Sequence, residues 1–134
     1  MKSLQTIKCW IFDLDNTLYS GKTKVFEQVD KKMSQYISAK LNVDIKEAKE
    51  IQKNYFYQYN TTLNGMIKNH KINADEFLDF VHDINVDFLK KDIALGKELK
   101  KLKGKKIIFT NGSRKHAINI TQRIGIDQYF DDIF

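Results

Sequence analysis

Apolar and polar positions recur along this chain with two periods, and the changes of period mark its elements. Cys9-Trp-Ile-Phe12 is a short run of bulky and β-branched residues that stops at Asp13. Such a run predicts a buried strand of a parallel sheet. After a turn at Ser20-Gly-Lys-Thr23, Val25, Phe26, Val29, Met33, Tyr36, Ile37 and Leu41 recur at three- and four-residue spacing, which predicts an amphipathic helix. Asn42-Val-Asp44 interrupts it. Asp44 and Glu47 then form an N-terminal capping pair for a second helix, with Ile45, Ala48, Ile51, Tyr55 and Tyr59 as its stripe. Asn73 and Glu76 cap a further helix that turns Phe77, Leu78 and Val81 inward, and Asp87 to Leu102 reads as helical through Ile93, Leu95, Leu99 and Leu102. Lys103-Gly-Lys-Lys106 turns into a second strand, Lys106 to Thr110. Ser113 caps a helix over Arg114 to Ile124, and Gly125 stops it.

Composition narrows the class. With 134 residues, 42% of them apolar, the chain suits one domain or a small core with an insertion. No apolar run approaches the length needed to span a bilayer, so neither a transmembrane helix nor a signal peptide is expected. A single cysteine excludes an internal disulfide and provides no zinc set, which fits a reducing compartment; the expected location is the cytoplasm. Cys9 itself reads as a small core residue. The net charge of +6 invites a nucleic-acid hypothesis. The distribution argues against it: lysines lie beside Glu and Asp along helices, and the densest cluster, Lys97 to Lys106, falls at a helix end where cations suit the dipole.

Two stretches carry candidate chemistry. The first strand ends in Asp13 and Asp15, one residue apart, at the edge of a sheet where α/β proteins bind ligands. A carboxylate there can attack phosphorus, and its neighbour can protonate the leaving oxygen and then activate water. Their mutual repulsion would be relieved by a hard divalent cation such as Mg²⁺. Asp-Leu-Asp-Asn is equally readable as a polar exit from a strand. The second stretch is Tyr57-Gln-Tyr-Asn-Thr-Thr-Leu-Asn-Gly-Met66, where hydroxyls, amides and rings gather around a glycine. A Thr-capped short helix explains it without a ligand, while rings that cover a base and side chains that bond its edge would make it a specificity segment.

Asp13-Leu-Asp-Asn-Thr-Leu-Tyr19 resembles the first signature of the haloacid dehalogenase-like phosphohydrolases, and Ile107-Ile-Phe-Thr-Asn-Gly112 resembles the second. The resemblance implies an α/β fold: a parallel, Rossmann-like sheet with an inserted all-helical cap. Residues 1–19 and 101–134 would form the core and residues 20–100 the cap. It also implies Asp13 as nucleophile, Asp15 as general acid/base, Mg²⁺ held by the Asp13 carboxylate and the Asp15 carbonyl, and Thr110, Asn111 and Gly112 as phosphate ligands. Tyr59-Asn-Thr-Thr-Leu-Asn-Gly65 resembles a segment of the pyrimidine 5′-nucleotidase branch, as do Phe77-Leu-Asp-Phe-Val-His-Asp83 and Phe109-Thr-Asn-Gly-Ser-Arg-Lys-His-Ala117. By that likeness Thr61 and Thr62 lie on the substrate side, and the substrate is a nucleoside monophosphate or another small phosphate ester. Asn60 stands where that branch often has glycine.

His82, Lys115 and His116 read as helix-surface residues. The family's third signature, a lysine, and its acidic fourth lie on later strands and have no place after Phe134, so the expectation is an incomplete core with two strands visible and a weakly active or inactive monomer; the alternative is a catalytically incomplete fragment that binds phosphate or a protein partner. Tyr129, Phe130, Ile133 and Phe134 would lack cover and offer a surface for self-association.

Overall fold

The computed structural model describes residues 6–134. They form two compact units: one of the chain up to Lys24 together with Asn85–Phe134, the other of Val25–Ile84. The first is an α/β unit. Its strands are β1 (Cys9–Phe12), β2 (Lys105–Ile108) and β3 (Asp132–Ile133), all parallel, in the order β1-β2-β3. Register pairs Ile11 with Ile107 and Phe12 with Ile108, and then Ile107 with Asp132. The ladder runs past the strand ends, since Phe109 N donates to Phe12 O and Thr110 N to Phe134 O, both at 2.8 Å. Two strands were expected, and the short β3 makes a third.

Helices α1 (Val25–Leu41), α2 (Ile45–Tyr59), α3 (Thr62–His70) and α4 (Ala74–Val81) make up the second unit; α5 (Ile93–Lys101) and α6 (Arg114–Ile124) belong with the sheet. Local sequence starts and stops most of them. Asp44, Asn73 and Ser113 accept bonds from the backbone N–H groups of Glu47, Glu76 and His116, each satisfying a donor that a helix start leaves unpaired. Gly125 ends α6 at φ 77°, in the left-handed region. Asn60 ends α2 in the same region at φ 67°, a conformation that glycine adopts freely and asparagine more readily than most other residues.

Helix α5 is shorter than its periodicity predicts. Asp92 accepts from Leu95 N and so caps the helix there, while Asp92 N donates to Ile124 O and ties the preceding segment to the end of α6. Residues from Asp87 therefore form a turn, and Leu89 is buried within it.

The α/β core consists of Leu14, Leu18, Ile108, Ala117, Ile120, Ile124 and Ile126 with Leu89 and Leu99. Among the described residues, one face of the sheet is exposed. Cys9 is exposed, and Ile11, Phe109 and Phe134 are 69%, 62% and 62% exposed. Alternation along paired strands puts these four on the same side. The expectation of a strand buried on both faces, with Cys9 in the core, is thus corrected: burial on both faces needs cover on both. Tyr129 and Phe130 are better covered than expected. The Tyr129 ring lies about where a Cβ on Gly96 would be, at 3.0 Å, and Phe130 packs edge-on against Phe12 with centroids 5.5 Å apart.

In the helical unit Val29, Tyr36, Ile37, Ala48, Met66, Ile72, Phe77 and Val81 form the core, with Met33, Ile51, Tyr55, Leu63 and Leu78 packed against it. Phe26 departs from the predicted stripe and is 43% exposed. Among the described residues, no helix is long and apolar enough to cross a membrane.

Candidate active site

The turn after β1 is shaped by Leu14 and Asn16. Leu14 is fully buried and its carbonyl accepts from Thr17 N and Leu18 N; Asn16 takes φ 59°. A left-handed residue reverses the chain at little cost when it is asparagine. The alternating pattern of the signature then has a physical meaning: Leu14 anchors the loop in the core, and the aspartates on either side of it stay at the end of the sheet.

Each carboxylate is held. Thr17 Oγ1 donates to Asp13 Oδ2 at 2.7 Å. Asp15 Oδ1 lies 2.6 Å from the Tyr19 hydroxyl, which donates to it, and 2.9 Å from His116 Nε2. Burial raises the Tyr19 phenol far above its ordinary pKa, and the bond to Asp15 and its charge add to that. Tyr19 therefore stays protonated and serves as a donor. His116 is 2% exposed, whereas the Asp15 side chain is 25% exposed. The histidine thus reaches the carboxylate from within the protein, and the reading of His116 as a surface residue is corrected.

The second strand brings its own turn to the same place. Thr110 Oγ1 accepts from Gly112 N at 3.0 Å, so the threonine fixes the turn that leads to Ser113 and α6. A Cβ on Gly112 would lie 3.2 Å from His116 Cδ2, 3.4 Å from Thr110 Oγ1 and 3.5 Å from Asp15 Oδ2. Glycine leaves this space open and is not required by a left-handed φ, since the positive-φ glycines among the described residues are Gly104 and Gly125. Asn111 is exposed between Thr110 and Gly112. Asp15, Thr110, Gly112 and His116 are therefore neighbours, and Asp13 closes the adjoining strand.

Thr61 and Thr62 belong to the helical unit. Thr61 Oγ1 accepts from Asn64 N at the start of α3, and Thr62, buried, donates to Gln52 O at 3.2 Å. Both hydroxyls hold the α2–α3 connection.

The donor set can be tested against a divalent cation. Among the described residues there is no group of three or more His, Cys, Asp or Glu side chains placed to hold a metal. Mg²⁺ commonly takes one or two carboxylates and completes its shell with water and phosphate oxygens. Two aspartates with adjacent carbonyls fit that pattern.

Thr17 and Tyr19 stand inside the first signature at four-residue spacing from Asp13 and Asp15, a local signal in the sequence, whereas His116, three residues after the Ser113 cap in the first turn of α6, has no such signal.

The family model for haloacid dehalogenase-like hydrolase matches residues 7–134. Phosphate metabolism protein 8 of Saccharomyces cerevisiae is 34% identical over 136 residues, covering 94% of this chain and 42% of that protein. The chain thus spans less than half the length of this curated relative.

Proposed function

The chain belongs to the haloacid dehalogenase-like hydrolase family, and from that premise we propose that it is built for Mg²⁺-assisted hydrolysis of a small phosphate monoester, with a pyrimidine nucleoside 5′-monophosphate as the preferred class. The observation that carries the reading is the convergence of Asp13 and Asp15 at the end of β1 with the Thr110–Gly112 turn after β2, where the place of a Gly112 Cβ is only 3.5 Å from Asp15 Oδ2. A substrate phosphate fits such a place: it meets carboxylates that can react and a turn with backbone amides before a capped helix.

In this mechanism Asp13 attacks phosphorus in line, and the bond to the ester oxygen breaks as the aspartyl-phosphate forms. Asp15 gives its proton to the departing oxygen. Water then attacks the phosphoryl group while Asp15 takes the water's proton, and the bond to Asp13 breaks to release phosphate. Thr17 keeps the Asp13 carboxylate oriented through its 2.7 Å bond. Thr110 and the amide of Asn111 hold phosphoryl oxygens, while the Gly112 amide keeps the turn in shape through its bond to Thr110 Oγ1. Asp13 and the Asp15 carbonyl would hold Mg²⁺, which supplies positive charge that offsets the repulsion between nucleophile and phosphate.

We further propose that Val25–Ile84 acts as the cap that selects the substrate. The likeness of residues 59–65 to the pyrimidine 5′-nucleotidase branch supports this. Thr61 and Thr62 contribute by fixing the α2–α3 connection within that unit.

The test is phosphate release from a panel of nucleoside monophosphates and simple phosphate esters in Mg²⁺, with Asp13→Asn in parallel. Weak activity on UMP or CMP that is lost in the variant is expected, as for loss of a nucleophile. Turnover that Asp13→Asn leaves intact would overturn the assignment, and preference for a sugar phosphate would move the substrate class.

A further inference from the structure

Asp15 has two hydrogen-bond partners on a single oxygen. Tyr19 and His116 both meet Oδ1, at 2.6 Å and 2.9 Å, while Oδ2 is the oxygen nearest the space over Gly112. The two donors reach it from different parts of the chain, Tyr19 four residues along the same loop and His116 from the first turn of α6. Both are buried. A carboxylate with one donor can rotate about its Cβ–Cγ bond and exchange its oxygens. One gripped by two donors from separate elements cannot do so without breaking a buried bond.

We propose that His116 is a positioning residue that, with Tyr19, pins Oδ1 and thereby assigns Oδ2 of Asp15 to proton transfer; this rests on the phosphatase reading above. In the first step Oδ2–H passes its proton to the ester oxygen as the Asp13–phosphorus bond forms and the ester bond breaks. In the second step Oδ2 takes a proton from water as the water–phosphorus bond forms and the Asp13–phosphorus bond breaks. His116 gains and loses no proton in either step. Its contribution is geometric, and small errors in the placement of a reacting group are costly.

Chemistry separates such a role from simple packing. An alkyl phosphate has a poor leaving group that needs the proton from Asp15, whereas 2,4-dinitrophenyl phosphate has a leaving group that departs as an anion. His116→Leu removes the donor and keeps apolar bulk, and His116→Gln offers an amide donor in its place. We expect kcat/KM for the alkyl ester to fall by about 10- to 100-fold in His116→Leu, kcat/KM for the dinitrophenyl ester to fall by less than about threefold, and His116→Gln to recover much of the difference. Equal losses on both esters, or no loss on either, would overturn the proposal.

A second measurement needs neither turnover nor a folded His116 variant. In nitrogen-resolved NMR of the imidazole, wild-type protein should show a proton on Nε2 whose resonance moves when Asp15→Asn is introduced. If the wild type hydrolyses neither ester, the phosphatase reading fails, and this resonance alone decides whether His116 holds Asp15. An unchanged resonance rejects it.

Discussion

At Gly112 a single added methyl group separates catalysis from stability. Its Cβ would enter a space bounded by His116, Thr110 and Asp15 at 3.2–3.5 Å, so neighbours need shift by only a few tenths of an ångström. Folding should therefore change by less than about 1 kcal/mol, while a site that must admit a phosphoryl group loses room. Gly112→Ala is expected to lower kcat/KM for any phosphate ester by at least about tenfold with little change in the urea midpoint, because misplacement on this scale is amplified in the rate. A large fall in midpoint with unaltered kcat/KM would place the glycine's importance in folding instead. The two aspartates stand out in the sequence because strand, carboxylates and threonine follow one another within the nine residues Cys9–Thr17. His116 does not. A histidine beside Lys115 in the first turn of a helix looks solvent-facing until the fold brings that turn to the end of β1, 101 residues away in sequence from Asp15.

Between elements of the helical unit, a close approach and a polar link each carry a test. A Cβ on Gly65 of α3 would lie 2.4 Å from Tyr55 Cβ of α2. Alanine in place of glycine favours a helix by about 1 kcal/mol, yet overpacking at such a contact costs about 1–3 kcal/mol and here sits at the upper end. Gly65→Ala should thus destabilise the protein by about 1–2 kcal/mol in urea unfolding. The link is Tyr36 of α1, whose hydroxyl donates to Glu76 of α4 at 3.0 Å, with Lys40 Nζ at 3.3 Å from the same carboxylate. Burial, the bond to Glu76 and its charge push the Tyr36 phenol up to about 12 from 10.0. The Tyr36 and Lys40 bonds, with the lysine charge, hold the Glu76 carboxyl below its usual 4.5. The signs follow from linkage. The phenol's contribution is complete below pH 10 and is lost as pH rises towards 12; the carboxylate's is complete above 4.5 and is lost as pH falls below it. Urea midpoints across pH should show both limbs, and Tyr36→Phe should flatten the alkaline one. Capping residues made these helices readable in advance, since Asp44, Asn73 and Ser113 act on neighbours three residues away. The late start of α5 was not readable, because the bond from Asp92 N to Ile124 O depends on a helix formed later in the chain.

Across the molecule, the α/β unit is asymmetric in what it covers. Ile108 is fully buried, while on the opposite side of the sheet Ile11, Phe109 and Phe134 stand together at 60–70% exposure. Alternation told which residues would share a side, but cover is supplied by whatever packs there, and no period in the strand encodes it. An apolar group this exposed contributes little to folding, since its stabilisation scales with area removed from water. It does offer a contiguous surface for apolar dyes or for another molecule. Threonine keeps the β-branched preference for strands and removes most of the apolar area. The double variant Ile11→Thr, Phe109→Thr is therefore expected to unfold within about 1 kcal/mol of the wild type. Its anilinonaphthalene sulfonate fluorescence should drop severalfold, and any concentration dependence of its sedimentation coefficient should weaken. A marked loss of stability in the same variant would mean instead that these side chains are packed in solution. The open face would then be a covered one, with Ile11 and Phe109 belonging to the core that the strand's sequence first implied.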